Sequence, residues 1–129
     1  MKILIVDDEE HIRELLGDYL TDVGYQVSSA QDGMEAWNLL GASEVSFDVV
    51  LCDLMMPRLN GWELLRKIKQ QSLPIPVVLV TGQIDVEDKE ASLAGAFGII
   101  HKPFNLSEIM DLLKNLNSGA LQSLEASHD

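Results

Sequence analysis

Five side chains that could take part in chemistry each stand at the end of a short apolar run of this sequence. They are three carboxylates, a hydroxyl and an amine: Asp7, Asp8, Asp53, Thr81 and Lys102. A carboxylate at the tip of a buried strand is costly to desolvate, so it needs hydrogen-bond donors or a cation. Three carboxylates that share one cleft also repel each other unless a cation lies between them.

These residue types together predict a site for phosphoryl transfer. Mg²⁺ is a hard cation that takes oxygen ligands, and it is often held by one or two carboxylates and a phosphate. A lysine adds a point charge for an anionic group, and a threonine adds a hydroxyl. An ionised aspartate can itself be the nucleophile, in which case the product is an acyl phosphate.

Each of the five residues also has an ordinary structural interpretation. Asp7 or Asp8 could cap the helix that follows, and Asp53 could be a turn residue. Thr81 could bond to the backbone at the end of its strand, and Lys102 could be a solvated surface residue. These interpretations become weaker together, because all five residues stand at equivalent places after apolar runs.

The apolar runs alternate with helical patterns along the chain. Candidate helix caps at Asp32, Asn60 and Asn105 each precede a glutamate by three residues, which is typical of a helix start. Strands are predicted at residues 2–6, 25–30, 47–52, 77–80 and 98–101. Five strands that alternate with five helices predict an α/β fold with a parallel sheet covered on both faces. A site in such a sheet lies beyond the carboxyl ends of the strands.

The composition indicates one domain, which we expect at residues 1–117, followed by a flexible tail or linker start at 118–129. The nine basic and 21 acidic residues give a net charge of −12, which argues against direct binding to nucleic acid. The single cysteine, Cys52, has no internal disulfide partner, and no apolar segment is long enough to cross a membrane. We therefore expect a cytoplasmic protein without a membrane association.

Four short motifs make the chain resemble the receiver domains of two-component response regulators. They are I-V-D-D at 5–8, D-L-M-M-P at 53–57 with Gly61, T-G at 81–82 and K-P-F at 102–104. The resemblance runs from Lys2 to about Asn117. It implies a flavodoxin-like, doubly wound (βα)5 fold with five parallel strands and five helices.

The resemblance also implies a role for each acidic residue. Asp53 would accept a phosphoryl group from a histidine kinase or a phosphotransfer domain. Asp8, Asp53 and the backbone carbonyl of Met55 would bind Mg²⁺, and Asp7 would act through water. The chain would then be a switch that catalyses its own phosphorylation and dephosphorylation, and not a turnover enzyme.

The remaining motif residues would read and transmit the phosphorylated state. Lys102 would contact the phosphoryl oxygens, Thr81 would move toward them, and the bond between Lys102 and Pro103 would be cis. The output surface would be formed by the fourth helix, the fifth strand and the fifth helix. It could serve a downstream output domain or protein, or a homodimer. At Ile99 the family usually has Tyr or Phe, so we expect this surface to respond differently.

Three other protein classes are alternatives for such a set of residues. A phosphatase of the haloacid dehalogenase type also uses an aspartate nucleophile, but it needs a D-x-D pair directly after one strand. A phosphorylation-independent docking module, or pseudo-receiver, would not need all five polar residues. A flavodoxin-type flavin protein would need hydroxyls and amides after the first strand, where this chain has acids.

Overall fold

The computed structural model describes residues 1–42, 46–83 and 86–126 of the chain. Strands and helices alternate throughout this part. The elements are β1 Lys2–Val6, α1 Glu10–Asp22, β2 Gln26–Ala30, α2 Gly33–Gly41, β3 Val49–Asp53, α3 Gly61–Gln70, β4 Val77–Thr81, α4 Asp88–Leu93, β5 Gly98–His101 and α5 Leu106–Ala126. Within the described residues, no helix is long and apolar enough to span a bilayer.

The five strands form one parallel sheet with the order β2-β1-β3-β4-β5. The central strands β3 and β4 are buried along their whole length, as expected for a sheet that helices cover on both faces. The order reverses at β1, which places a crevice between the carboxyl ends of β1 and β3. The predicted α/β fold class and its five-stranded parallel sheet are confirmed.

Two apolar clusters lie on opposite faces of the sheet, because alternate side chains of each strand point to opposite faces. On one face, side chains of β1 and β3 pack with helices α2, α3 and α4. That cluster includes Leu4, Val6, Val50, Cys52, Ala36, Leu64, Ile68 and Ala91. On the other face they pack with α1 and α5, in a cluster that includes Ile3, Ile5, Leu51, Leu16, Leu20, Ile109 and Leu113.

Hydrogen bonds define the starts of three helices at the predicted caps. The Asp32 carboxylate accepts the N–H of Glu35 at 2.8 Å, and so it caps α2. Asn60 and Glu63 form a complete capping box at the start of α3. At α5 the Asn105 N–H donates to the side chain of the residue three positions on, at 2.8 Å. The caps of α2 and α3 are correctly predicted because their partners are only three residues apart, and at α5 the Glu108 half of the predicted capping box is present.

The last two helices differ in length from the prediction. The sequence from Asp85 to Ala96 predicts a weaker fourth helix with a stripe of alanines, but the structure confines this helix to Asp88–Leu93, and Asp85 lies outside the described residues. Gly95 follows it with a φ of +96°, a left-handed conformation that ends the helix. Conversely, α5 continues to Ala126, into the segment that we predicted as a flexible tail.

The continuation of α5 corrects the predicted end of the last helix, whereas the predicted flexibility of residues 118–129 stays a prediction. Leucines and alanines recur at three- and four-residue spacing through residues 113–124, which keeps the segment compatible with a helix. A single Gly119 costs only about 1 kcal/mol in a helix interior, and so it does not have to end one. The domain boundary at residue 117 itself stays a prediction.

Candidate functional site

The predicted site residues stand at one edge of the sheet, where the parallel strands end. Asp7 and Asp8 follow β1, Asp53 is the last residue of β3, Thr81 is the last residue of β4, and Lys102 follows β5. The neighbouring strands β1 and β3 are in register at Val6 and Cys52. This register aligns the ends of the two strands that supply the carboxylates.

Three carboxylates come together at this edge. One oxygen each from Asp7, Asp8 and Asp53 lies within 4.8 Å of the other two. Asp7 and Asp53 are buried, with 3% and 6% of their surface exposed, whereas Asp8 is exposed. The cluster therefore has two desolvated carboxylates and one that faces water.

Lys102 is the cation of the cluster. Its Nζ lies 3.1 Å from Asp7 Oδ2 and 3.4 Å from Asp53 Oδ2, and 3.8 Å from Glu9 Oε1. The Lys102 backbone N–H also donates to the Thr81 carbonyl at 2.7 Å. The predicted cis peptide bond between Lys102 and Pro103 is confirmed.

Burial and charge act on the cluster in opposite directions. Burial, followed by the neighbouring Asp7, raises the pKa of Asp53 above its usual value, although Lys102 partly offsets this. Burial by itself would lower the pKa of Lys102, but the carboxylates of Asp53 and Asp7 outweigh it and raise that pKa. One ammonium group thus does not fully offset the carboxylates around it, and additional positive charge would be stabilising.

The loop after β3 supports Asp53 through its backbone. The Met55 N–H donates to Asp53 Oδ1 at 3.3 Å, and Met55 itself is 59% exposed. Gly61, at the start of α3, packs so closely that an added Cβ would lie 2.5 Å from the Asp53 carbonyl oxygen. The glycine of the D-L-M-M-P…G motif is therefore needed for this close approach.

Thr81 and Ile99 are not in direct contact with the carboxylate cluster through side-chain hydrogen bonds of the described residues. Thr81 is fully buried, and its hydroxyl accepts the N–H of Gln83 at 3.0 Å. Within the part of the chain that the structure describes, no side-chain hydrogen bond joins Thr81 to the carboxylates, and its bond to the backbone agrees with its ordinary structural interpretation. Ile99 in β5 is half-buried and packs against the cluster that contains Ala91 of α4.

Sequence reasoning missed two basic residues near this edge. Arg13 donates to the Asp7 carbonyl at 2.6 Å. Arg58, in the loop after β3, pairs with Asp32. No local pattern indicates the second pair, because its members are 26 residues apart.

Comparison with known proteins agrees with the resemblance seen in the sequence motifs. The family model of the response regulator receiver domain matches residues 3–114. The response regulator MprA of Mycobacterium sp. (strain KMS) is 38% identical over 117 residues, which are 90% of this chain and 50% of that protein. The chain thus spans about half the length of curated relatives such as MprA.

Two solved structures illustrate the similarity of the fold. The chemotaxis protein CheY4 of Vibrio cholerae is 34% identical with a TM-score of 0.79, over 89% of this chain and 97% of that one. The response regulator TrrA of Thermotoga maritima, solved in complex with Mg(2+)-BeF, is 33% identical with a TM-score of 0.77, also over 89% and 97%. From its motifs, its sheet and these matches, the chain belongs to the receiver domains of two-component response regulators.

Proposed function

We propose that Asp53 is the phosphoryl acceptor of this receiver domain and that the reaction depends on Mg²⁺. The observation that supports this most strongly is the convergence of three carboxylates and Lys102 at one edge of the sheet. Asp53 is the carboxylate that ends the central strand β3, and Lys102 lies beside it. An aspartate held next to a cation is a suitable nucleophile for phosphorus.

The donor set fits a magnesium ion. Carboxylate oxygens that lie within 4.8 Å of one another are hard ligands and carry more negative charge than Lys102 offsets. Asp8, Asp53 and the Met55 carbonyl would hold the ion, and Asp7 would act through water. When bound, Mg²⁺ would offset the carboxylate charge and the charge that develops on the phosphoryl oxygens. The relative TrrA was solved with Mg(2+)-BeF, which is in line with this assignment.

The residues of the chain then have distinct parts in the transfer. An Asp53 carboxylate oxygen forms a bond to phosphorus, while the bond between phosphorus and the donor's histidine nitrogen breaks and its electron pair returns to that nitrogen. Lys102 would contact a phosphoryl oxygen, because its Nζ already lies 3.4 Å from Asp53. The Thr81 hydroxyl, now engaged with the Gln83 N–H, would rotate to a phosphoryl oxygen and begin the switch.

The partners belong to the same proposal. Receiver domains interact with histidine kinases and with output domains, so a histidine kinase or a phosphotransfer domain would phosphorylate Asp53. The surface of α4, β5 and α5 would signal to a downstream output domain or protein. Exposed apolar residues at this surface include Leu93 of α4 at 80% and Phe97, which directly precedes β5, at 43%. A homodimer through this surface and a cytoplasmic location remain predictions.

The switch at this surface would differ from that of relatives with an aromatic residue, because the side chain of Ile99 has no ring to move between buried and exposed positions. We expect smaller chemical-shift changes in α4, β5 and α5 on phosphorylation than in a receiver with Tyr or Phe there. NMR spectra of both proteins, before and after phosphorylation, would measure this. Equal changes in the two proteins would refute the role given to Ile99.

Intact-mass spectrometry tests the phosphoryl acceptor directly. The full chain is incubated with a small phosphodonor and MgCl₂, beside the Asp53→Asn variant and a sample with a chelator. We expect one added phosphoryl group in the wild type and none in either control. The same adduct on Asp53→Asn would refute Asp53 as the acceptor.

Two further outcomes would support other functions. If no adduct forms but phosphate is released from the donor, the chain would act as an aspartate-nucleophile phosphatase. If a folded protein shows neither adduct nor phosphate release, it would be a phosphorylation-independent docking module. Either result would overturn the proposed switch.

A further inference from the structure

The loop between β3 and α3, residues 54–60, is attached to the start of α2 at two points. Arg58 Nε donates to Asp32 Oδ2 at 3.0 Å, and Arg58 Nη2 donates to Asp32 Oδ1 at 3.0 Å. Next to this pair, the Gly33 N–H donates to the Leu59 carbonyl at 3.1 Å. The loop that leads away from Asp53 is thus held to a helix that belongs to an earlier part of the chain.

The Asp32 carboxylate is well suited to hold an arginine. It is only 5% exposed, and it also accepts the backbone N–H of Glu35 as the cap of α2. The hydrogen bond from Arg58, with that backbone bond, holds the pKa of Asp32 below its usual value, so the carboxylate stays ionised. A two-point contact with a planar guanidinium fixes direction as well as distance.

The backbone around the pair has little freedom to move. Arg58 has a φ of +68°, a left-handed conformation that a residue with a Cβ adopts only when its surroundings enforce it. At Gly33, an added Cβ would lie 2.2 Å from the Leu59 carbonyl oxygen, so the two backbones could not approach in this way with a larger residue. The loop conformation therefore depends on contacts with α2.

We propose that Arg58 and Asp32 are a positioning pair, which holds loop 54–60 against α2 and keeps the backbone at Met55 in place for binding a divalent cation. The inference rests on the proposed function, in which the Met55 carbonyl is a metal ligand. Met55 lies three residues before Arg58 on the same loop, and its N–H already contacts Asp53. Neither member of the pair touches the cation in this scheme, so their effect is indirect.

Magnesium titration of the full chain by isothermal calorimetry tests the pair. In Arg58→Asn the side chain tolerates the left-handed backbone but cannot form the two-point contact. In Asp32→Asn the helix cap is kept, and the charge is lost. We expect each variant to weaken Mg²⁺ binding by about tenfold, which is typical of residues that orient metal ligands. The double variant should bind Mg²⁺ with about the same affinity as each single variant, because both substitutions remove the same contact.

Three comparisons separate positioning from a general loss of stability. Arg58→Lys keeps the charge without the planar fork, so its Mg²⁺ affinity should lie between wild type and Arg58→Asn. Arg66→Asn, on the exposed side of α3, should bind as the wild type does. Exchange of the Gly33 amide hydrogen in metal-free protein should be faster in Arg58→Asn, because its acceptor on Leu59 is released.

The failure of this inference differs from the failure of the proposed function. If the wild type binds Mg²⁺, and the affinities of Arg58→Asn and Asp32→Asn are both within twofold of the wild-type affinity, the pair has no positioning role. If the wild type itself does not bind Mg²⁺, the metal part of the proposed function is wrong. If the Gly33 amide hydrogen also exchanges as slowly in Arg58→Asn and Asp32→Asn as in the wild type, the anchoring of the loop is overturned as well.

Discussion

Replacing Asp53 with asparagine should stabilise the metal-free protein, although it removes the proposed phosphoryl acceptor. The Asp53 carboxylate is buried and shares its cleft with Asp7 and Asp8. Asparagine has nearly the same shape and no charge, so the substitution removes the burial penalty without leaving a cavity. Lys102 keeps a carboxylate partner in Asp7, 3.1 Å away.

The expected gain follows from the charges around Asp53. Asp7 lies within 4.8 Å, which gives about 3.5 kcal/mol of repulsion at an effective dielectric constant of about 20. Exposed Asp8 adds about 1 kcal/mol, because water screens it. Lys102 at 3.4 Å contributes about 5 kcal/mol of attraction. These contributions nearly cancel, so the burial cost decides, and we expect a gain of about 2 kcal/mol in the free energy of unfolding.

The gain should depend on pH in a definite direction. Burial, with a further contribution from Asp7, raises the pKa of Asp53 in the folded state. The folded wild type therefore binds this proton more tightly than the unfolded chain, whose aspartate pKa is about 3.9. Wild-type stability falls as the pH rises from about 3.9 through the raised folded value. The advantage of Asp53→Asn is complete above that value and disappears toward pH 3.9.

Urea unfolding in the presence of a chelator measures the difference in the free energy of unfolding between Asp53→Asn and wild type, at pH 7 and again near pH 4. A gain of about 2 kcal/mol corresponds to a rise of about 8 °C in the thermal midpoint for a domain of this size. The control is Asp111→Asn on the exposed side of α5, which should change stability little. The reasoning would be refuted if Asp53→Asn were less stable than wild type at pH 7. It would also be refuted if the gain in the free energy of unfolding were the same at both pH values.

Three further substitutions probe the same edge of the sheet, and unfolding by urea measures each. Gly61→Ala should destabilise the fold by about 1–3 kcal/mol, since its Cβ would lie 2.5 Å from the Asp53 carbonyl oxygen; an unchanged midpoint would contradict that close packing. Asn60→Ala removes the cap of α3 and should cost about 1 kcal/mol, whereas Asn60→Ser should cost little. Lys102→Ala leaves two buried carboxylates without their cation and should lower the free energy of unfolding by about 3–5 kcal/mol. MgCl₂ should restore part of this stability. If it restores none, the proposed metal site at the carboxylates is contradicted.

Magnesium itself should stabilise the wild type more than Asp53→Asn. A ligand present at ten times its dissociation constant raises the free energy of unfolding by about 1.4 kcal/mol. Asp53→Asn lacks one proposed ligand, so MgCl₂ should narrow the stability gap between the two proteins. Equal stabilisation of both by MgCl₂ would mean that the ion binds elsewhere.

The sequence alone determined the fold class and the edge at which the site lies. Apolar runs that alternate with helical patterns allow few arrangements other than a parallel sheet with helices on both faces. Because parallel strands end at one edge, the polar residues after β1, β3, β4 and β5 had to come together there. The caps at Asp32 and Asn60 were also predictable, because each bonds to a residue three positions on.

Only the tertiary structure decided which of these residues touch. Lys102 contacts Asp7 and Asp53, from which it is separated by 95 and 49 residues, whereas the Thr81 hydroxyl bonds locally to Gln83. A sequence pattern gives the edge on which a residue lies. It does not give the direction of its side chain, which depends on how the neighbouring elements pack.

The same limit applies to the loop after β3, whereas the end of α5 was missed because its local signal is weak. Arg58 meets Asp32 only because α2 packs beside that loop, and the left-handed backbone at Arg58 is not a common choice for its residue type. The end of α5 lies beyond its predicted position because a single glycine costs too little to end a helix whose leucines and alanines keep helical spacing. Contacts between distant residues arise from packing, and packing is a property of the whole fold.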